Sequence, residues 1–139
     1  MIKWAGWLIV LFPGVGHTLG ALVQTAPRYS EAWFSGEGWE ADATAMNYAE
    51  ATLWYTVFSF GVPFLLIGLM VLWLDRRGIT PPSFLAWITA GWTVVTVAVG
   101  GPSPLLVLLI AAALLLVGSR RAARRDDPGT AAGAFVPTR

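Results

Sequence analysis

The apolar residues of this chain fall into four long, almost uncharged runs, residues 2–23, 50–74, 82–99 and 104–117, and that pattern limits the fold more than any other feature. An α-helix needs about 20 predominantly apolar residues to cross the hydrocarbon core of a bilayer. In a soluble helix, charged residues occupy the outward face throughout. Here they gather in the gaps between the runs. Hydrophobic residues make up 56% of the chain and charged ones 12%, more apolar surface than a soluble core of 139 residues encloses. The expectation is an all-α protein, a bundle of four transmembrane helices in one domain over residues 1–119, followed by a basic tail at 120–139.

The basic residues set an orientation. Lys3 flanks the first run, Arg76 and Arg77 stand between the second and third, and Arg120, Arg121, Arg124 and Arg125 follow the fourth. The 25–47 loop carries only Arg28 against Glu31, Glu37, Glu40 and Asp42, and the 100–103 connection is uncharged. If four helices alternate, every basic cluster falls on one side. By the positive-inside rule that side is cytoplasmic, which predicts a multi-pass protein of the cytoplasmic membrane with both termini inside and the acidic loop outside.

Proline and glycine punctuate the runs. Pro13, Gly14 and Gly16 interrupt the first and Gly61 and Pro63 the second, so kinks are expected in both helices. Pro81-Pro82 and Pro102 with Pro104 mark helix starts, where a missing amide costs least. Trp4, Trp7, Trp33, Trp39, Trp73 and Trp87 lie near segment ends, as interfacial aromatics do. Trp33, Phe34 and Trp39 suggest a short interfacial helix in the outer loop. The first run is read as a retained helix and not a cleaved signal, being long, containing Pro13 and His17, and lacking a small-x-small cleavage site near Gln24, Thr25 and Ala26. Residues 126–139, without periodicity, are expected to be disordered.

Composition excludes several chemistries. With no cysteine there is no disulfide, thiolate metal site or thiol nucleophile, and one histidine permits no multi-histidine metal centre. No metal, no cofactor and no nucleic-acid partner is expected. Glu37, Glu40 and Asp42 are read as solvated and not as a cation site, and Arg120 to Arg125 as topological.

The ionisable residue set deepest among apolar neighbours is His17, about 20 Å above Lys3 at 1.5 Å per residue. Ionisable groups at membrane depth face the protein interior and mark a site or pathway, or else act as polar glue between helices. Glu50 opens the second run on the outer side, at a neighbouring depth if the first two helices are antiparallel. There it can hold His17 in one tautomer, or it can simply occupy the favourable amino-terminal end of its helix. Thr89, Thr93 and Thr96 share a helix face beside Trp92. If that face meets His17, then Gln24, Glu50, Trp54, Trp92, Thr93 and Thr96 line a polar pocket with it, sized for an amphipathic small molecule. Gly16 and Gly20 form a G-x-x-x-G pair, a close-packing signal within the chain or in a homodimer.

Several motifs are familiar together. His17-Thr18, Ala32-Trp33-Phe34 with Gly38-Trp39, Ala49-Glu50-x-x-Leu53-Trp54-Tyr55, Gly68, Trp73-x-x-Arg76-Arg77-Gly78 and Pro82-x-Phe84-Leu85-x-Trp87 resemble a family of short, uncharacterised four-helix membrane proteins of bacteria. The resemblance covers roughly the first two thirds of the chain and implies the fold and topology without an activity. The Ala, Gly and Arg usage suits a high-GC actinobacterium.

Three functional classes follow. The reading that asks least of the sequence is a membrane protein acting by binding or scaffolding, as a dimer or a subunit of a complex, with the lipid bilayer as its medium. A second is a membrane-embedded, cofactor-independent enzyme in which His17 and Glu50 are the catalytic acid and base for isomerisation, hydration or cyclisation of a lipid or isoprenoid-like substrate. A third is a small-molecule exporter, although small four-helix exporters place a carboxylate, and not a histidine, in their first helix.

Overall fold

The computed structural model describes residues 1–36 and 44–125 and is helical throughout, with no strand among the described residues. Its elements are α1 (Ile2–Ile9), a π-helical segment (Val10–His17), α2 (Thr18–Ser35), α3 (Tyr48–Thr56), α4 (Gly61–Arg76), α5 (Ser83–Gly100), a 3-10 turn (Pro104–Leu106) and α6 (Val107–Arg125). Four stretches are long and apolar enough to cross a membrane: Ile2–Ser35, Tyr48–Arg76, Ser83–Gly100 and Pro104–Arg124. Each overlaps one of the apolar runs. The helical backbone continues past residue 23 to Ser35 and past residue 117 to Arg125, because hydrogen bonding along a helix does not stop where hydropathy falls. Glu37, Trp39, Glu40 and Asp42, with their cation-site and interfacial readings, lie outside the described residues, as does the 126–139 tail.

The irregular backbone has identifiable chemical causes. Pro13 has no amide hydrogen to give to the turn before it, and the chain around it winds in the wider π register. In the second stretch, residues 57–60 leave the helix between α3 and α4. Pro63 follows, in the first turn of α4, and its ring excludes the helical position of the Ser59 carbonyl four residues back.

The chain divides into two units, Trp7–Met70 and Met1–Gly6 together with the residues from Val71 onward. In the second unit α5 and α6 form the core with Ala86, Leu108, Ala111, Ala112 and Leu115 buried. Ser119 Oγ donates to the Pro81 carbonyl at 3.0 Å, tying α6 to the turn that precedes α5. That turn follows a Schellman cap: Ile79 N–H donates to the Leu74 carbonyl and Gly78 N–H to that of Asp75, with Gly78 at φ +68°. Trp87, Ile88, Val94, Val95, Val99 and Ile110 are exposed.

In the Trp7–Met70 unit, two glycines permit close backbone approach. A Cβ on Gly14 would stand 3.0 Å from the Leu65 Cα, and one on Gly61 would overlap Thr18 Oγ1. Gly20, half of the expected G-x-x-x-G pair, has open space where a Cβ would be. Within this unit Gly14 and Gly61, and not Gly20, are therefore packed closely against another segment.

Candidate functional site

The sequence-predicted site residues separate into three surroundings. His17, the last residue of the π segment, is half-buried against the break between α3 and α4. Its Nε2 lies 2.9 Å from Ser59 Oγ and 3.4 Å from the Tyr55 carbonyl. The ring stacks on Phe60 at a centroid distance of 4.1 Å and meets the edge of Tyr55 at 5.8 Å. The Tyr55 carbonyl is one the helix would have bonded to the Ser59 amide had it continued. His17 thus serves backbone and side chain at the point where the ladder fails, which is how membrane helices tolerate a break. Thr18, next along, donates to the Gly14 carbonyl at 2.8 Å.

Glu50 has other neighbours. Asn47 precedes α3 in extended conformation and its Oδ1 accepts from the Glu50 amide at 2.9 Å, a side-chain cap that fixes where the helix starts. Glu50 is therefore the third residue of α3, at the positive end of the helix dipole. Its side chain is only 7% exposed, and among the described residues its Oε2 is buried with no hydrogen-bond partner. A buried polar atom without a partner is uncommon in folded proteins, and a carboxylate oxygen is the most costly kind to leave so.

Glu50 lines a cavity of about 660 Å³ within the Trp7–Met70 unit, between α2 and α3. Leu22, Ala26, Trp33, Leu53, Trp54 and Phe58 form its apolar wall, and Ser30 and Asn47 add polar atoms. Glu50 is the one charged side chain among the described residues lining it. Trp33 Nε1 donates to the Ala49 carbonyl at 2.6 Å and joins α2 to the first turn of α3. Trp54 and Phe58 stand side by side with ring centroids 5.1 Å apart, both more than half exposed. The cavity is thus an aromatic groove that Glu50 lines, in the size range of small-molecule sites.

Trp92, Thr93 and Thr96 belong to α5 in the other unit, where Thr93 donates to the Thr89 carbonyl at 2.7 Å and Thr96 to that of Trp92 at 2.8 Å. Their hydroxyls thus bond within their own helix, as Thr does in apolar surroundings. Gln24 is exposed on α2. Of the expected site residues, the structure places Glu50 and Trp54 around one cavity, and it joins His17 to Ser59. Sequence reasoning passed over Ser59 as a ligand of His17, Asn47 as the cap of α3, and Phe58 and Leu22 as groove walls. The Asn47-x-x-Glu50 spacing was the available signal for the cap.

A family model described as a family of unknown function matches residues 1–122. Comparison with curated proteins gave no match, and comparison with solved structures gave none.

Proposed function

Since the chain belongs to the DUF6463 family, whose function is unknown, we propose from its own geometry that it is a multi-pass membrane protein that binds an amphipathic small molecule in the groove between α2 and α3. The observation that carries this reading is an aromatic-walled cavity of about 660 Å³ lined, among the described residues, by one buried carboxylate, that of Glu50. Apolar walls with a few placed polar groups are what bind a ligand having an apolar body and a polar end. The protein crosses the cytoplasmic membrane with both termini and all the basic clusters on the cytoplasmic side, a reading supported by where Lys3, Arg76, Arg77 and the arginines of α6 fall. On that orientation the groove opens in the outer half of the bilayer. Acid–base catalysis by this pair would require both side chains to reach the bound molecule; Glu50 lines the groove, whereas His17 is outside the lining and its Nε2 is directed at Ser59, so binding is the reading the geometry favours.

The test is saturable binding of a neutral hydrophobic dye, nile red, to purified protein in maltoside micelles. Ala26→Trp, or Ala32→Trp as a second variant, fills the groove from α2 and serves as the blank. Saturable binding to the native protein that both fillers abolish is expected. Equal binding to all three, with helical content unchanged, overturns the reading.

A further inference from the structure

We infer that the groove selects a lipophilic cation, with Glu50 as its counter-ion; this rests on the reading of the groove as a binding site. Three observations converge on a positive charge. First, Oε2 of Glu50 is buried and lacks a partner among the described residues, although the Glu50 amide is satisfied by the Asn47 cap. An unpaired buried carboxylate is costly, and a ligand that brings a cation removes that cost on binding. Second, no basic side chain lines the cavity among the described residues, so nothing there already neutralises Glu50. The Arg28 side chain, on the lining helix α2, is exposed and outside the lining. Third, the part of the wall that follows Glu50 in the sequence includes two aromatic rings. Trp54 follows it by one helical turn and Phe58 stands against Trp54 at 5.1 Å. The faces of such rings attract cations, most strongly where water is excluded.

The occupant is defined by these features together. An ammonium or phosphonium centre sits beside Glu50, and its apolar substituents lie along Leu22, Leu53, Trp54 and Phe58. An anionic amphiphile would meet Glu50 with like charge. A neutral one would leave Oε2 unpaired unless it supplied a donor. Small hydrated cations gain nothing from the apolar wall.

Displacement of nile red in uncharged maltoside micelles separates these cases, since no lipid headgroup then carries charge. The probes are tetraphenylphosphonium and the neutral triphenylphosphine oxide. The native protein is expected to release the dye at a tetraphenylphosphonium concentration about tenfold or more below that needed for the oxide, the scale of a desolvated cation–aromatic contact plus an ion pair. Glu50→Gln, which keeps shape and removes charge, is expected to lose that preference, the tetraphenylphosphonium concentration needed rising to that of the oxide or above it. Glu50→Asp is expected to keep part of it. Equal displacement by both probes from the native protein overturns the cation proposal and leaves the groove standing, and this comparison needs no variant to fold. A preference that survives in Glu50→Gln also overturns it. Absence of saturable dye binding to the native protein removes the groove reading itself and the cation with it.

Discussion

Gly61 offers the sharpest packing prediction, because its surroundings specify the cost of a methyl group. A Cβ there overlaps Thr18 Oγ1 and stands 3.3 Å from both the Gly14 carbonyl oxygen and His17 Cδ2. Thr18 Oγ1 is held in place by its 2.8 Å bond to that same carbonyl. In Gly61→Ala the hydroxyl must turn away and lose its bond, worth about 1 kcal/mol, or the backbones must separate. Overpacking of this kind costs about 1–3 kcal/mol, and the better helix propensity of alanine returns less than about 1 kcal/mol at a helix end. The expected net loss is about 2 kcal/mol. Thr18→Ala removes the overlapping atom, so Gly61→Ala in that background should cost about 1 kcal/mol less than in the native chain. Equilibrium unfolding by SDS in mixed micelles, followed by helical circular dichroism, measures all four corners of the cycle. Costs that agree within about 0.3 kcal/mol in the two backgrounds would show that the two residues do not touch, and would refute the argument.

Other consequences are as direct. Ser59→Ala removes the partner of His17 Nε2 and should destabilise the protein by about 0.6 kcal/mol, the average for interhelical hydrogen bonds in membranes, in the same unfolding assay. His17→Phe should lose a similar amount while keeping the stack on Phe60, and a cost far above about 2 kcal/mol would point to a larger role than bridging the break. Asn47→Ala should cost about 1 kcal/mol through the lost cap and fray the first turn of α3, which amide exchange at Glu50 would report as faster. For topology, a green fluorescent fusion after residue 125 should glow and an alkaline phosphatase fusion there should be inactive in a bacterial host, with the reverse pattern expected for phosphatase inserted at residue 101.

The helical stretches were legible because bilayer length and the absence of charge are properties of local sequence, and each apolar run overlaps one of the four membrane-length helical stretches. The π-helical segment contains Pro13, which lacks an amide hydrogen, and the break at residues 57–60 precedes Pro63, whose ring crowds the carbonyl four residues back. What joins the stretches was less visible. Gly16 and Gly20 carry the motif spacing, yet it is Gly14 and Gly61 that face backbone or side chain of another segment, because the π register changes which residues share a face. His17 stood out as an ionisable residue among apolar ones, but its partner Ser59 becomes adjacent only when residues 57–60 leave the helix. The sequence allows Glu50 to be either a partner of His17 or a first-turn residue favoured by its helix dipole, and the structure places it in the first turn of α3. Its cavity depends on α2 continuing to Ser35, so that Trp33 reaches the Ala49 carbonyl, and the Pro27 and charged residues of that segment hid the continuation.

Photo-crosslinking locates the ligand most directly. A diazirine-bearing alkyl trimethylammonium is irradiated with the protein in nanodiscs, and adducts are mapped by peptide mass spectrometry with and without excess tetraphenylphosphonium. Adducts should concentrate on Leu22, Leu53, Trp54 and Phe58 and disappear with the competitor. Adducts distributed equally over exposed residues of α5 and α6, such as Val95 and Ile110, and unaffected by the competitor, would mean that the amphiphile meets the protein only as lipid does, and would contradict a binding site between α2 and α3.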